Sequence, residues 1–87
     1  MRDDYFTLDE LTWTVRLRRE TVRRIFDEYA DFPVMRIGNR YIIPKMQFFR
    51  WYARHKRDGT LRHRFDAKRI DEERETYFKR ISGRAVI

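Results

Sequence analysis

Apolar positions in the first half of the chain follow two rhythms. From Phe6 to Tyr29 they recur at three- and four-residue spacing; from Val34 to Ile43 they gather in two short runs about Gly38-Asn39. Leu8, Leu11 and Val15 form one helical stripe, with Trp13 a weaker member, and Val22, Ile25, Phe26 and Tyr29 form a second. Thr7 can cap the first of these helices, with Glu10 as its capping-box partner, Asp9 in the first turn, and Phe6 and Leu11 at the staple positions. The pattern predicts a helix from about Leu8 to Thr14 or Val15, after a polar lead over residues 1–5, and a second from about Arg19 to Tyr29.

The turn between these helices has an unusual composition. Such turns commonly carry a glycine, an apolar residue and a Ser or Thr cap. Arg16, Leu17 and Arg18 stand in those places. Leu17 suits burial beneath the turn, whereas Arg16 must take a tight or left-handed conformation without glycine's freedom, and Arg18 has no oxygen with which to cap. A nearby phosphate would explain two arginines there. Further on, Val34, Met35 and Ile37 and then Tyr41, Ile42 and Ile43 predict two strands of a hairpin, with Gly38-Asn39 supplying the positive dihedrals of a two-residue turn.

Pro44 fits the first position of a third helix, from Lys45 to about His55. Phe48, Trp51, Tyr52 and His55 share its inner face, and Met46, Phe49 and Ala53 make a second stripe; His55 reads as an edge-of-core residue. Asp58-Gly59 ends this helix, and a basic connector from Thr60 to Arg64 follows. Asp66 can cap a fourth helix, from about Ala67 to Ile81, which Gly83 would close. Lys68–Glu72, Arg69–Glu73 and Glu75–Lys79 are spaced for pairing along it. Its face of Ile70, Arg74, Tyr77, Phe78 and Ile81 is too sparse for a core of its own. It either folds back on Met46, Phe49 and Ala53 or meets another protein.

Composition narrows the function. Eighty-seven residues suit one small domain that buries roughly 60% of its unfolded surface. With no cysteine and only two isolated histidines, disulfides and thiolate metal sites are excluded, and no metal or cofactor is expected. There is no nucleophile with a paired base, no phosphate-cradling glycine loop and no carboxylate cluster in an apolar setting, so no catalytic residues are assigned. No run reaches membrane-spanning length, and Met-Arg-Asp-Asp is no signal peptide; the expectation is a soluble, cytoplasmic protein without a membrane partner. The net charge is +7: residues 1–44 hold eight arginines and eight acids, which cancel, and residues 45–87 carry the whole excess. Seventeen of the 21 cations are arginine, the side chain suited to bidentate phosphate and guanine contacts.

A helix whose polar side is almost all guanidinium, followed at once by a basic-tipped hairpin, is the layout of a winged helix-turn-helix that grips double-stranded DNA. The predicted fold is α+β, mainly α, with a two-stranded wing and an additional C-terminal helix. Residues 1–56 form the winged helix-turn-helix, and residues 57–87 a connector and helix that pack on it or on a partner. In the recognition helix Arg19, Glu20 and Arg23 are candidates for base edges, Arg16, Arg18 and Arg24 for phosphates, and Thr21 lies at the end that enters a major groove. Arg36, Asn39 and Arg40 form the wing tip. Lys45, Arg62 and Arg64 are further candidates for the DNA backbone, and Tyr77, Phe78 and Ile81 for a partner.

Residues 6–53 resemble a known family. Phe6-Thr-Leu-Asp-Glu-Leu11, Arg19-Glu-Thr-Val-Arg-Arg-Ile25, Met35-Arg-Ile-Gly-Asn-Arg-Tyr-Ile-Ile-Pro44, Phe48 and Trp51-Tyr52 are similar to the excisionase-type branch of the MerR-like winged-helix proteins. The wing-to-Ile-Pro portion is the most specific part; the family's turn glycine and cap serine are the residues replaced by Arg16 and Arg18. The resemblance implies a DNA-bending recombination directionality factor that directs an integrase toward excision of a phage or integrative element. It implies several copies along the DNA, in contact through the C-terminal helix. A small MerR-like repressor and the DNA-recognition subunit of a phage terminase are alternatives within the same reading. A protein–protein adaptor using Tyr77 and Phe78 is the alternative from another class.

Overall fold

The computed structural model describes residues 4–85. In chain order its elements are β1 (Tyr5–Thr7), α1 (Leu8–Val15), α2 (Arg19–Glu28), β2 (Met35–Ile37), β3 (Arg40–Pro44), α3 (Lys45–Asp58) and α4 (Ala67–Ala85). The architecture is α+β and mainly helical, with one three-stranded antiparallel sheet in the order β1-β3-β2.

The capping box forms as the sequence predicts. Glu10 N–H donates to Thr7 Oγ1 at 3.2 Å, and Thr7 N–H donates to Glu10 Oε1 at 2.9 Å. The polar lead is corrected: Tyr5–Thr7 is a strand, with Phe6 opposite Ile43 and Thr7 opposite Ile42. Three residues are too few to show an alternating pattern, and Phe6 already had an explanation as a helix staple. Its ring is buried and meets Phe48 and Phe49 edge-on, at 5.8 and 6.0 Å between centroids. A lone hairpin is marginal in water, so the third strand gives β2 and β3 a foundation in the core.

Alternation along the strands sends Phe6 and Ile43 inward and leaves Met35 and Ile37 exposed on the outer side. Val34 lies just before β2 rather than within it. At the hairpin tip only Gly38 has positive φ, at 62°; Asn39 does not. That sign pattern belongs to a type II′ turn, with glycine first, rather than the I′ turn expected from Gly-Asn.

One core joins every helix. Leu11, Val15, Val22, Ile25, Phe48 and Trp51 are buried together, and Ile70 and Tyr77 of α4 belong to the same cluster. Of the two arrangements open to α4, packing on its own domain is the one observed. Tyr77 lies 5.8 Å from Phe49, ring to ring, and Ile81 is partly buried, so neither forms a free partner surface. Ala53 is exposed and outside this contact. α3 extends to Asp58, where Gly59 at φ 70° caps it, but α4 runs through Gly83 to Ala85. Gly83 lacks the positive φ of a helix stop, and an interior glycine costs only about 1 kcal/mol.

The connector is tied down along its length. Tyr29 Oη–H donates to the Thr60 carbonyl at 2.8 Å and accepts from Arg62 N–H at 2.9 Å. His63 Nε2 lies 2.7 Å from Glu28 Oε1, and Asp66 N–H donates to the Val15 carbonyl at 3.1 Å. Asp31 clamps the same region. Trp51 Nε1–H donates to its Oδ1 at 3.0 Å, while Arg54 Nη2 and His55 Nε2 lie 2.7 and 2.8 Å from Oδ2. Desolvation alone would raise this carboxyl's pKa, but the hydrogen bonds from His55, Arg54 and Trp51 outweigh it and lower the value from 3.8 to about 2.

Because the folded pKa is depressed, the stabilisation from Asp31 is fully present above about pH 4 and disappears as pH falls toward 2. Urea unfolding should therefore show Asp31→Asn less stable than the parent at pH 6, with the gap closing between pH 4 and pH 2. A gap independent of pH would mean that the carboxylate's charge is irrelevant to the clamp.

Candidate nucleic-acid interface

The arginines of α2 face water because its apolar stripe, Val22 and Ile25, is buried against α1 and α3. The preceding turn carries the strain expected of it. Arg16 adopts φ 57°, ψ 46°, the only non-glycine residue with positive φ among the described residues, and its N–H donates to the Thr12 carbonyl at 2.9 Å. Leu17 packs against the core, and Arg18 occupies the cap position of α2 without a side-chain capping hydrogen bond.

A concave groove of about 470 Å³ opens between α1, the start of α2 and the hairpin. Asp9, Arg19, Arg23, Arg36, Asn39, Arg40 and Tyr41 are among its lining residues. Five side chains named from sequence thus meet on one surface: two from the helix and three from the hairpin. Arg23 also belongs to a neighbouring hollow of about 340 Å³, lined by Glu20, Arg24, Phe26, Asp27 and Tyr41, so it stands on the ridge between the two.

Aromatic contacts set this geometry. Tyr41 of β3 lies 5.2 Å from Phe26 of α2, and Phe26 lies 5.2 Å from Phe32 in the loop between them. The Arg36 guanidinium sits 5.6 Å from the Tyr41 ring centroid, and its Nε–H donates to the Gly38 carbonyl at 3.2 Å. The hairpin arginine therefore rests on the ring that joins the hairpin to α2. Arg19 Nη1 is hydrogen-bonded to Asp9 Oδ1. Both side chains are exposed, so the pair adds little stability; its effect is to hold the guanidinium within the groove.

The remaining candidates are distributed elsewhere. Thr21 is half-buried and lines neither hollow. Arg16 and Arg18 lie just before the start of α2 in a third hollow, with Trp13 and Arg69. Lys45 is a correction: its side chain is only 12% exposed, its ammonium lies 5.0 Å from the Phe6 ring centroid, and Glu73 Oε1 is 4.0 Å away. Pro44 ends β3 and is the N-cap of α3 rather than its first residue, so Lys45 opens the helix, in contact with Phe6 of the sheet and Glu73 of α4. Arg62 and Arg64 are exposed on the connector, which the Tyr29 and His63 contacts hold at the C-terminal end of α2. Phe78 remains partly exposed beside the buried Tyr77. Among the described residues no group of His, Asp and Glu side chains is placed to hold a metal ion, and no helix is long and apolar enough to cross a membrane.

Sequence reasoning missed Asp9, Tyr41, Trp13 and Arg69. Asp9 and Tyr41 had local roles, in helix capping and strand pairing, that concealed a second, tertiary one. Trp13, a weaker member of the α1 stripe by spacing, is 70% exposed. Arg69, spaced for pairing with Glu73, stacks on Trp13 at 4.6 Å instead.

The left-handed Arg16 gives a direct test of the turn. Arg16→Gly relieves strain of roughly 1–2 kcal/mol, partly offset by glycine's freedom in the unfolded chain, for a net stabilisation of about 0.5–1 kcal/mol. The lost pair with Asp66, at 3.8 Å between an exposed Arg16 and a half-buried Asp66, is weak. Thermal denaturation should show a higher Tm, and a lower one would place Arg16 among the residues that hold the turn. Comparison of the chain with family models, with curated proteins and with solved structures returns no match in any of the three.

Proposed function

We propose that this protein binds duplex DNA as a winged helix-turn-helix, with the start of α2 in the major groove and the β2–β3 hairpin as the wing against the adjoining minor groove. The observation that carries the reading is the groove in which Arg19, Arg23, Arg36, Asn39 and Arg40 converge. Four guanidinium groups on one concave surface, with Asp9 the sole acid in its lining, supply the donors that phosphates and guanine edges accept from. A small-molecule anion would need an enclosed pocket, and this surface is open.

The role that fits best is that of an excisionase-type accessory factor, which bends DNA beside a recombination site for an integrase. Bending is supported by Ile37, 64% exposed beside the wing tip, with Met35 exposed on the same side. Apolar side chains flanked by arginines are the type that wedge into a minor groove and kink it. The adaptor alternative is weakened because Tyr77, the centre of its surface, is buried in the domain's own core.

Two measurements test the reading. Affinity for a duplex should fall about a thousandfold from 50 to 200 mM salt, as expected for six to eight phosphate contacts, and Arg23→Ala with Arg36→Ala should lose most of it without lowering Tm. A shallow salt slope with no loss in the double variant would contradict DNA binding through this groove. Footprinting on DNA flanking its gene then tests the role. Phased sites beside an attachment sequence fit excision, whereas a promoter or packaging sequence would replace that role with repression or packaging.

A further inference from the structure

Beyond the groove, three elements meet at the far end of α1. A hollow of about 360 Å³ is lined by Thr12, Trp13, Arg16, Leu17, Arg18 and Arg69. Its Trp13 is the most exposed large apolar side chain among the described residues, at 70%, whereas Trp51 is 1% exposed. An exposed indole forgoes the burial that makes tryptophan useful in so small a core. One neighbour does meet it: Arg69 reaches across from the first turn of α4, its guanidinium carbon 4.6 Å from the ring centroid.

The position of Arg69 is fixed by the backbone. Asp66 N–H donates to the Val15 carbonyl at 3.1 Å, and Asp66 Oδ1 accepts from Arg69 N–H at 3.1 Å, so the start of α4 is anchored on the end of α1. Glu73, the expected helical partner of Arg69, lies by Lys45 instead. Arg69 Nε is shut away from water with no hydrogen-bond partner. Of the three guanidinium groups of this hollow, Arg16 has a carboxylate within pairing distance, Asp66 at 3.8 Å.

We propose that Trp13 and Arg69, with Arg16 and Arg18, form a second DNA contact: a clamp for the phosphodiester backbone on the flank of the groove. The guanidinium groups take phosphate oxygens, and the free side of the indole packs on a deoxyribose. The inference rests on the DNA-binding reading and extends it to α4. Continuity supports it. Arg18 of this hollow and Arg19 of the groove are consecutive, and Trp13 lies one helical turn beyond Asp9 along α1. The two hollows adjoin around the start of α2, so a duplex seated in the groove brings its backbone past Trp13. Indole and guanidinium together suit an alternation of apolar sugar and charged phosphate, which a simple anion does not offer.

The test uses the full chain and a random-sequence 20-base-pair duplex. Arg69→Ala should weaken binding about five- to tenfold at 100 mM salt and lower the slope of log K against log salt by about one. Trp13→Ala should weaken binding while leaving that slope unchanged, because it removes no charge. In the unmodified protein, acrylamide quenching reports on exposed Trp13 over buried Trp51, and saturating duplex should protect it; Trp13→Phe should remove the protected signal. If both alanine variants bind as tightly as the parent while Arg23→Ala with Arg36→Ala does not, the clamp is wrong and the groove stands. If duplex leaves acrylamide quenching unchanged although bound, the clamp is likewise wrong. Absence of duplex binding by the parent protein would overturn both.

Discussion

The contact on which the rest depends is the aromatic bridge from α2 to the sheet: Phe26 against Tyr41, with Phe32 behind Phe26. An arginine-rich helix and an arginine-tipped hairpin repel one another and have no reason to share a surface unless their undersides are joined. These rings join them. Tyr41 is half-buried, so one side of it belongs to the interior and the other supports Arg36 in the groove. Like charges can be held close when the apolar burial beneath them exceeds their repulsion, which water and salt reduce at an exposed surface.

The foundation of that bridge was legible in the sequence to differing degrees. The capping box at Thr7 and Glu10, the buried stripes of α1 and α2, the glycine turn and the left-handed Arg16 all follow from local rules acting over a few residues. Features set by tertiary contact were not legible. Tyr5–Thr7 becomes a strand only because β3 offers an edge, and α4 continues through Gly83 because no tertiary demand turns the chain there. The fourth helix could equally have met a partner by its pattern, since Ile70 and Tyr77 say only that something apolar must cover them. Within the interface, charge type and helical position brought Arg19, Arg23, Arg36, Asn39 and Arg40 to notice. The contacts that position them, Asp9 with Arg19 and Tyr41 with Phe26, span ten and fifteen positions and leave no periodic trace.

The distribution of ion pairs also separates supporting charges from available ones. Asp31 gathers Trp51, Arg54 and His55 and fastens the loop after α2 to α3, and Lys45 is drawn onto Phe6 and Glu73. These charges serve the fold. Around the groove and the Trp13 hollow, acids are outnumbered, and the arginines of the pairs that exist are exposed, so the pairs are weak enough to exchange for phosphate. Clustering of the weakly paired arginines on adjoining surfaces is what gives the proposed interface its direction, beyond the net charge of +7 that the whole chain carries.

The central claim is that helix and hairpin engage one and the same duplex, and amide shift mapping during a duplex titration tests it most directly. The account predicts that amides of residues 19–24 and 36–41 move together along a single binding curve, while those of Arg50 and Phe78 on the outer helices stay in place. Movement of only one of the two segments, or two curves with different midpoints, would contradict it.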